Sequence, residues 1–290
     1  MAATDKAFSS TVATLYESHM VPMLFRPYAA EMAARVAAHS PHDVLEIAAG
    51  TGAVTAALLV RLTADATLTA TDLNQAMLDV AAAKLTDRRL RLKGCDAQAL
   101  PFADNSFDAV VCQFGVMFFP DRLGAYREAR RVLRAGGRYF LSVWDDLESN
   151  PFAAVVHETV AAAFPDDPPG FFRRTPHGYF DVAAITATLA EAGFGDIHAE
   201  KVTLPCRAPS AEHVAQALCQ GTPLRPEIEQ RDAGRLAEVT ERAAQALRAA
   251  FGTGRDLLRG DGLARSLSVR HFRGCGLNGS HIQFPMPEML

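Results

Sequence analysis

Asp43-Val44-Leu45-Glu46-Ile47-Ala48-Ala49-Gly50-Thr51-Gly52-Ala53-Val54-Thr55 reads as a short buried strand, a tight turn and the start of a helix. Val44, Leu45 and Ile47 form the apolar, β-branched run of a parallel strand covered on both faces. Gly50 and Gly52 permit a backbone turn that a Cβ would obstruct. Helix formers follow across 53–62. Such a turn brings backbone N–H groups at a helix N-terminus close to a ligand, and an anionic or nucleotide-like group suits it. A glycine turn on its own is a weak signal, so its context decides.

Outward from that stretch the pattern alternates. Strands are expected at 44–48, 67–71, 90–95, 107–112 and 138–144, with helices at 53–62, 74–85 and 121–134. Ala135-Gly136-Gly137 reads as the stop of the last of these helices. Strand–helix alternation with short links implies a doubly wound, mostly parallel α/β sheet with right-handed crossovers. In such a sheet a ligand binds outside the carboxyl ends of the strands, where the strand order reverses.

The polar residues expected at those ends are the candidate site. Asp72 follows the second strand and can accept both hydroxyls of a ribose; a turn or helix cap is its structural alternative. Asp96, Ala97 and Gln98 follow the third strand and suit the exocyclic amine of a purine. Gln113 and Phe114 follow the fourth, near the base or the reacting end of a cofactor. Glu46, inside the first strand, can orient the glycine turn through backbone N–H groups.

These residues sit in motifs that resemble a known family. Val44 to Gly52, Ala70 to Leu78, Gly94 to Asp108 and Arg130 to Arg138 are each similar to a motif of class I S-adenosylmethionine-dependent methyltransferases. The branch most similar is the type 11 group, which includes the ubiquinone and menaquinone C-methyltransferases. Residues 43–144 carry all four motifs. The resemblance implies a seven-stranded, Rossmann-like methyltransferase fold and S-adenosylmethionine as cofactor. It implies that Gly50 and Gly52 meet the methionine part and Asp72 the ribose, with Ala48, Thr51 and Tyr16 also among the cofactor-binding residues. Leu73 and Met77 would flank the adenine, and Asp96 with Ala97 would hold its edge. Ala48 stands where the family commonly has glycine. The sulfonium methyl is already electrophilic, so alignment is the protein's main task and a base is optional.

A nicotinamide-dependent oxidoreductase shares the turn and Asp72, but Thr55 occupies the place of its third glycine, and the Asp96 cluster has no role there. A non-catalytic S-adenosylmethionine-binding protein also fits, because nothing marks the acceptor side.

The flanks are less explicit. Residues 1–40 form a helical preface that Pro22 and Pro27 are expected to break into short helices. Tyr16, Phe25 and Tyr28 either line the mouth of the site or dock the preface. After the core at 41–145, residues 146–252 read as helices woven around a late strand at 197–204, a cap over the acceptor. Phe171, Phe172, His177, Tyr179 and Phe180 either line the acceptor pocket or pack the core. His19, His157 and His177 could each take a proton from an acceptor hydroxyl, and none is singled out. Residues 253–290 read as an atypical tail in which only 267–272 alternates.

The 290 residues carry a net charge of −4, which speaks against a nucleic-acid partner. The apolar run at 109–120 is too short to span a bilayer, and no secretory segment opens the chain. Five scattered cysteines match no metal motif or disulfide framework, which suits a reducing cytoplasm; Cys95 and Cys112 read as core filler. The expected partner is a small molecule, without metal or membrane, bound by a monomer or homodimer.

Overall fold

The computed structural model describes residues 9–252 and 258–270. Five parallel strands form the sheet's core: β1 (Asp43–Ile47), β2 (Thr67–Asp72), β3 (Leu90–Gly94), β4 (Phe107–Gln113) and β5 (Leu133–Trp144). β6 (Gly195–Ala208) and β7 (Leu258–Arg270) complete a seven-stranded sheet in the order β3-β2-β1-β4-β5-β7-β6, with β7 antiparallel to both neighbours. The order reverses between β1 and β4, so their carboxyl ends open a crevice.

Both faces of this sheet are covered, and the pleat explains how. Val44 of β1 and Ala109 and Val111 of β4 pack with Met32 and Val36 of α2 (Arg26–Ala37) and with Leu58 of α3 (Ala53–Arg61). Leu45, Ile47, Val110 and Cys112 point the other way, into a cluster with Tyr126 of α5 (Arg122–Val132) and with the cap. Alternate side chains of one strand thus enter two cores. Burying a Leu or Val of this kind contributes about 1.5–3 kcal/mol each.

Three expectations change. The preface is helical without interruption from Ser10 to Ala37: α1 (Ser10–Leu15), a π-helical stretch (Tyr16–Phe25), then α2. Pro22 lies inside the wide π turns, where the Arg26 N–H reaches back to the carbonyl of Val21. Pro27 lies in the first turn of α2, where its fixed φ suits the helix. Second, Gly136 and Gly137 do not stop α5, which ends at Val132. They belong to β5 at a register shift against Phe107 and Ala109, and Gly136 takes φ +82°. Third, the atypical tail does not extend across residues 258–270. This segment is β7, inserted between β5 and β6, with Val269 buried. Only part of the weakly alternating stretch at 267–272 lies within it. The remainder of the tail, 253–257 and 271–290, lies outside the described residues.

The remaining helices are α4 (Gln75–Lys84), α6 (Pro151–Ala163), α7 (Phe171–Arg174), α8 (Val182–Glu191), α9 (Ala211–Gln220), α10 (Leu224–Asp232) and α11 (Leu236–Phe251). Asp181 caps α8 by accepting from the N–H of Ala183 and Ala184. Helices α6, α9 and α11 pack on one another beside the carboxyl ends of the strands.

Candidate functional site

The turn after β1 is anchored to the end of β2. The Ala49 N–H donates to the carbonyl of Thr71 (2.9 Å), and the Thr71 hydroxyl donates to the carbonyl of Glu46 (2.9 Å). Asp72 then braces the loops after β1 and β2. Its Oδ2 accepts the Gly50 N–H (2.8 Å) and its Oδ1 the Asn74 N–H (2.8 Å). Asp72 therefore is a turn former, and it also lines the crevice. Burial raises its pKa, opposed by the N–H groups of Asn74, Gly50 and Leu73. Asn74, not Asp72, caps α4 through the Met77 N–H.

Ala48, Gly50 and Gly52 all adopt positive φ (+55°, +56° and +84°). Gly52 faces away from the crevice: a Cβ there would lie 2.7 Å from Leu85 Cδ1 and 3.3 Å from Ala81 Cβ, so glycine permits α3 and α4 to approach. Glu46 is buried, and its Oε2 accepts the Thr55 hydroxyl (2.7 Å). Burial pushes its pKa up to about 8, with the nearby Asp72 charge adding to the rise.

The crevice opens into a cavity of about 380 Å³, within the range of small-molecule sites. Ala48, Gly50, Asp72, Leu73 and Met77 line it at the ends of β1 and β2. Asp96, Ala97 and Gln98 line it beyond β3, and Gln113 and Phe114 beyond β4. Tyr16 closes over it from the π-helical stretch, where burial and the Asp72 charge raise its pKa and keep its hydroxyl protonated. Three expected residues do not line it: Glu46, Thr51 and Gly52 stand behind the turn. Gln98 also braces the site, donating to both Asp96 oxygens (3.0 and 3.2 Å) and accepting the Asp121 N–H (2.9 Å). Gln113 Oε1 is buried with no hydrogen-bond partner among the described residues.

The aromatic candidates divide. Phe25, Phe171, Phe172 and His177 line the cavity. Tyr28 stands behind it, edge-on to Phe114 (5.4 Å) and Trp144 (5.3 Å). Tyr179 lies under Arg122 (4.1 Å), and Phe180 is 37% exposed and outside the lining. His19 stacks on His213 (4.2 Å) instead, and His157 stays outside the lining. Cys95 packs against the core but is only partly buried. It follows β3 and lines the cavity, with its pKa raised by burial, whereas Cys112 is core.

Other lining residues were not foreseen. Trp144 ends β5 and stacks on Phe114 at 3.8 Å; the rim rule that picked out Gln113 would have found it. Cys206, Leu218 and Thr222 arrive from β6 and the α9–α10 region, with no local signal in the sequence.

Residues 45–141 match the model of a family described as a methyltransferase domain. This stretch is a class I methyltransferase domain. Over 99 residues the chain is 42% identical to the ubiquinone/menaquinone biosynthesis C-methyltransferase UbiE of Stenotrophomonas maltophilia, a match covering 33% of this chain and 39% of that protein. The chain thus spans less than half the length of the curated relatives it matches. Among solved structures, the YcgJ protein of Bacillus subtilis superposes with a TM-score of 0.54 at 18% identity, over 84% of this chain and 99% of that one. Phosphoethanolamine N-methyltransferase 2 of Haemonchus contortus, solved with phosphomonomethylethanolamine and S-adenosylhomocysteine, gives 0.50 at 18% identity, over 81% and 49%. At these identities the two structures speak to the fold alone. The matched span runs from within β1 to within β5 and contains every crevice residue expected from the sequence except Tyr16. Among the described residues no helix is long and apolar enough to cross a membrane, and no cluster of three or more His, Cys, Asp or Glu could hold a metal.

Proposed function

We propose that this protein transfers a methyl group from S-adenosylmethionine to a small-molecule acceptor by direct displacement. The observation that carries this reading is Asp72. Its carboxylate is fixed by the Gly50 and Asn74 N–H groups beside the crevice, in one cavity with Asp96 and Gln113. Leu73 and Met77 offer apolar surface to an adenine, and Asp96 with Ala97 its hydrogen-bonding edge. Gly50 faces the methionine part, and the orphaned Gln113 Oε1 takes a donor from it. Glu46, Thr51 and Gly52 act from behind, by shaping the turn.

The bound cofactor supplies an electrophilic methyl group. The chain aligns the acceptor and excludes water. In this reading residues 41–145 hold the cofactor, 1–40 close over it and 146–252 shape the acceptor side. A cytoplasmic monomer or homodimer, with no nucleic-acid or membrane partner, fits the charge of −4 and the free cysteines among the described residues.

Calorimetric titration with S-adenosylmethionine, S-adenosylhomocysteine and NAD tests the reading. Binding of the first two without the third is expected; binding of NAD alone would establish the oxidoreductase alternative. Labelled methyl transfer into a cell extract separates an enzyme from a non-catalytic binder.

A further inference from the structure

The cavity is also lined by a group that the proposed cofactor contacts leave unused. His177 is 6% exposed and lines the cavity. Its Nδ1 lies 2.9 Å from the backbone carbonyl oxygen of Asp145. A carbonyl only accepts, so Nδ1 carries the hydrogen and Nε2 keeps its lone pair. The ring lies beside Trp144 (6.5 Å) and Phe172 (6.4 Å), themselves lining residues. Asp145 follows directly on Trp144, so this hydrogen bond ties His177 to the carboxyl end of β5.

The surroundings keep the ring neutral. Burial lowers its pKa to about 4, and His157 of α6 acts in the same direction. The Asp145 carbonyl and the charges of Asp146 and Glu148, all on the segment after β5, oppose this. Lys201 of β6 pairs with the Asp145 side chain at 3.6 Å. Of the other titratable lining groups, Tyr16, Asp72, Cys95 and Asp96 stand at the cofactor side, and Cys206 is a thiol with a proton of its own. Among the described residues no Lys or Arg lines the cavity, while Asp72 and Asp96 do. An anionic acceptor would find no cationic side chain among these lining residues.

We infer that Nε2 of His177 takes the proton from a hydroxyl of an uncharged, apolar acceptor as its oxygen is methylated. The inference rests on the methyl-transfer reading above. An oxygen lone pair forms the bond to the methyl carbon. The carbon–sulfur bond breaks and its electron pair stays on sulfur, leaving a neutral thioether. The hydroxyl proton passes to Nε2 and then to water. Trp144, Phe171 and Phe172 supply the apolar wall against which the acceptor lies.

The test uses the full chain saturated with S-adenosylhomocysteine, whose binding is first measured by calorimetry. Failure of that step in the wild type sinks the methyl-transfer reading itself, and this inference with it. Fluorescence titration then compares 2-naphthol, its methyl ether 2-methoxynaphthalene and the anion 6-hydroxy-2-naphthoate. The wild type is expected to prefer naphthol at least tenfold over the ether and over the anion. His177→Asn keeps an amide N–H for the Asp145 carbonyl and removes Nε2. It should lose at least fivefold of the preference over the ether, with S-adenosylhomocysteine binding within twofold of wild type. Should that binding change further, His177→Phe, which keeps the ring's volume, serves for the same comparison. An unaltered preference in the variant, or none in the wild type, overturns the inference.

Discussion

The methyl of Ala48 occupies space that exists because residue 115 is glycine: a Cβ on Gly115 would come within 2.5 Å of Ala48 Cβ and 2.8 Å of Cys112 Sγ. The side chain at a position where glycine is usual is thus accommodated by a glycine just past β4. Ala48 also sits at φ +55°, in the left-handed region.

Gly115→Ala therefore overpacks the crevice floor and should destabilise the protein by about 1–3 kcal/mol in chemical denaturation. Ala48→Gly should recover part of that loss in the double variant, since it removes one clash partner and the strain at φ +55°. The Cys112 contact remains, so recovery stays partial. Simple additivity of the two substitutions would show that they do not interact.

Asp72→Ala should weaken S-adenosylhomocysteine binding by about 2–4 kcal/mol, measured by calorimetry, because ribose hydroxyls lose a charged acceptor. The substitution also frees the Gly50 N–H and loosens the turn. Asp72→Asn retains an oxygen to accept that N–H and should fall between. An unchanged dissociation constant for the alanine variant would remove Asp72 from the site.

Glu46 makes stability depend on pH. Its pKa rises from an ordinary 4.5 to about 8 because the carboxyl is buried. Between those values the folded state holds a proton that the unfolded state has released, so stability falls as pH rises. The contribution is complete below 4.5 and lost above about 8. The slope is at most about 1.4 kcal/mol per pH unit for one proton. Glu46→Gln should flatten the profile in this window, which urea titrations from pH 5 to 8.5 can measure. Parallel profiles would contradict the assignment.

Glu227 fixes the cavity wall that carries Phe171 and Phe172. Its buried carboxylate accepts the N–H groups of Gly170 (2.9 Å) and Phe171 (3.1 Å) and pairs with Arg174. Glu227→Ala strands these donors and should cost about 3–5 kcal/mol of stability. Because Phe171 and Phe172 line the cavity, it should also weaken 2-naphthol binding while leaving S-adenosylhomocysteine binding unchanged. Equal loss of both would indicate general unfolding.

Much of the crevice lining was legible in the chain because it is local. Each strand end is followed within a few residues by the group that faces the crevice, as with Asp72, Asp96 and Gln113. What was misjudged has a physical cause in each case. Gly136 and Gly137 carry a helix-stop signature, but pairing with β4 drew them into a strand. Gly52 reads as a ligand contact, yet the approach of Leu85 sets its geometry. Residues 258–270 alternate too weakly to announce a strand, but β5 and β6 present unpaired edges, and hydrogen bonding on both sides recruits them.

The sequence by itself determined the alternation of strand and helix, the sheet's class and the group at each strand end, because these depend on periodicity and on neighbours close along the chain. Only the tertiary structure decided which residues from distant segments complete the cavity. Cys206, Leu218 and Thr222 reach it, and His177 acquires its tautomer from the carbonyl of Asp145, through packing that no local pattern encodes.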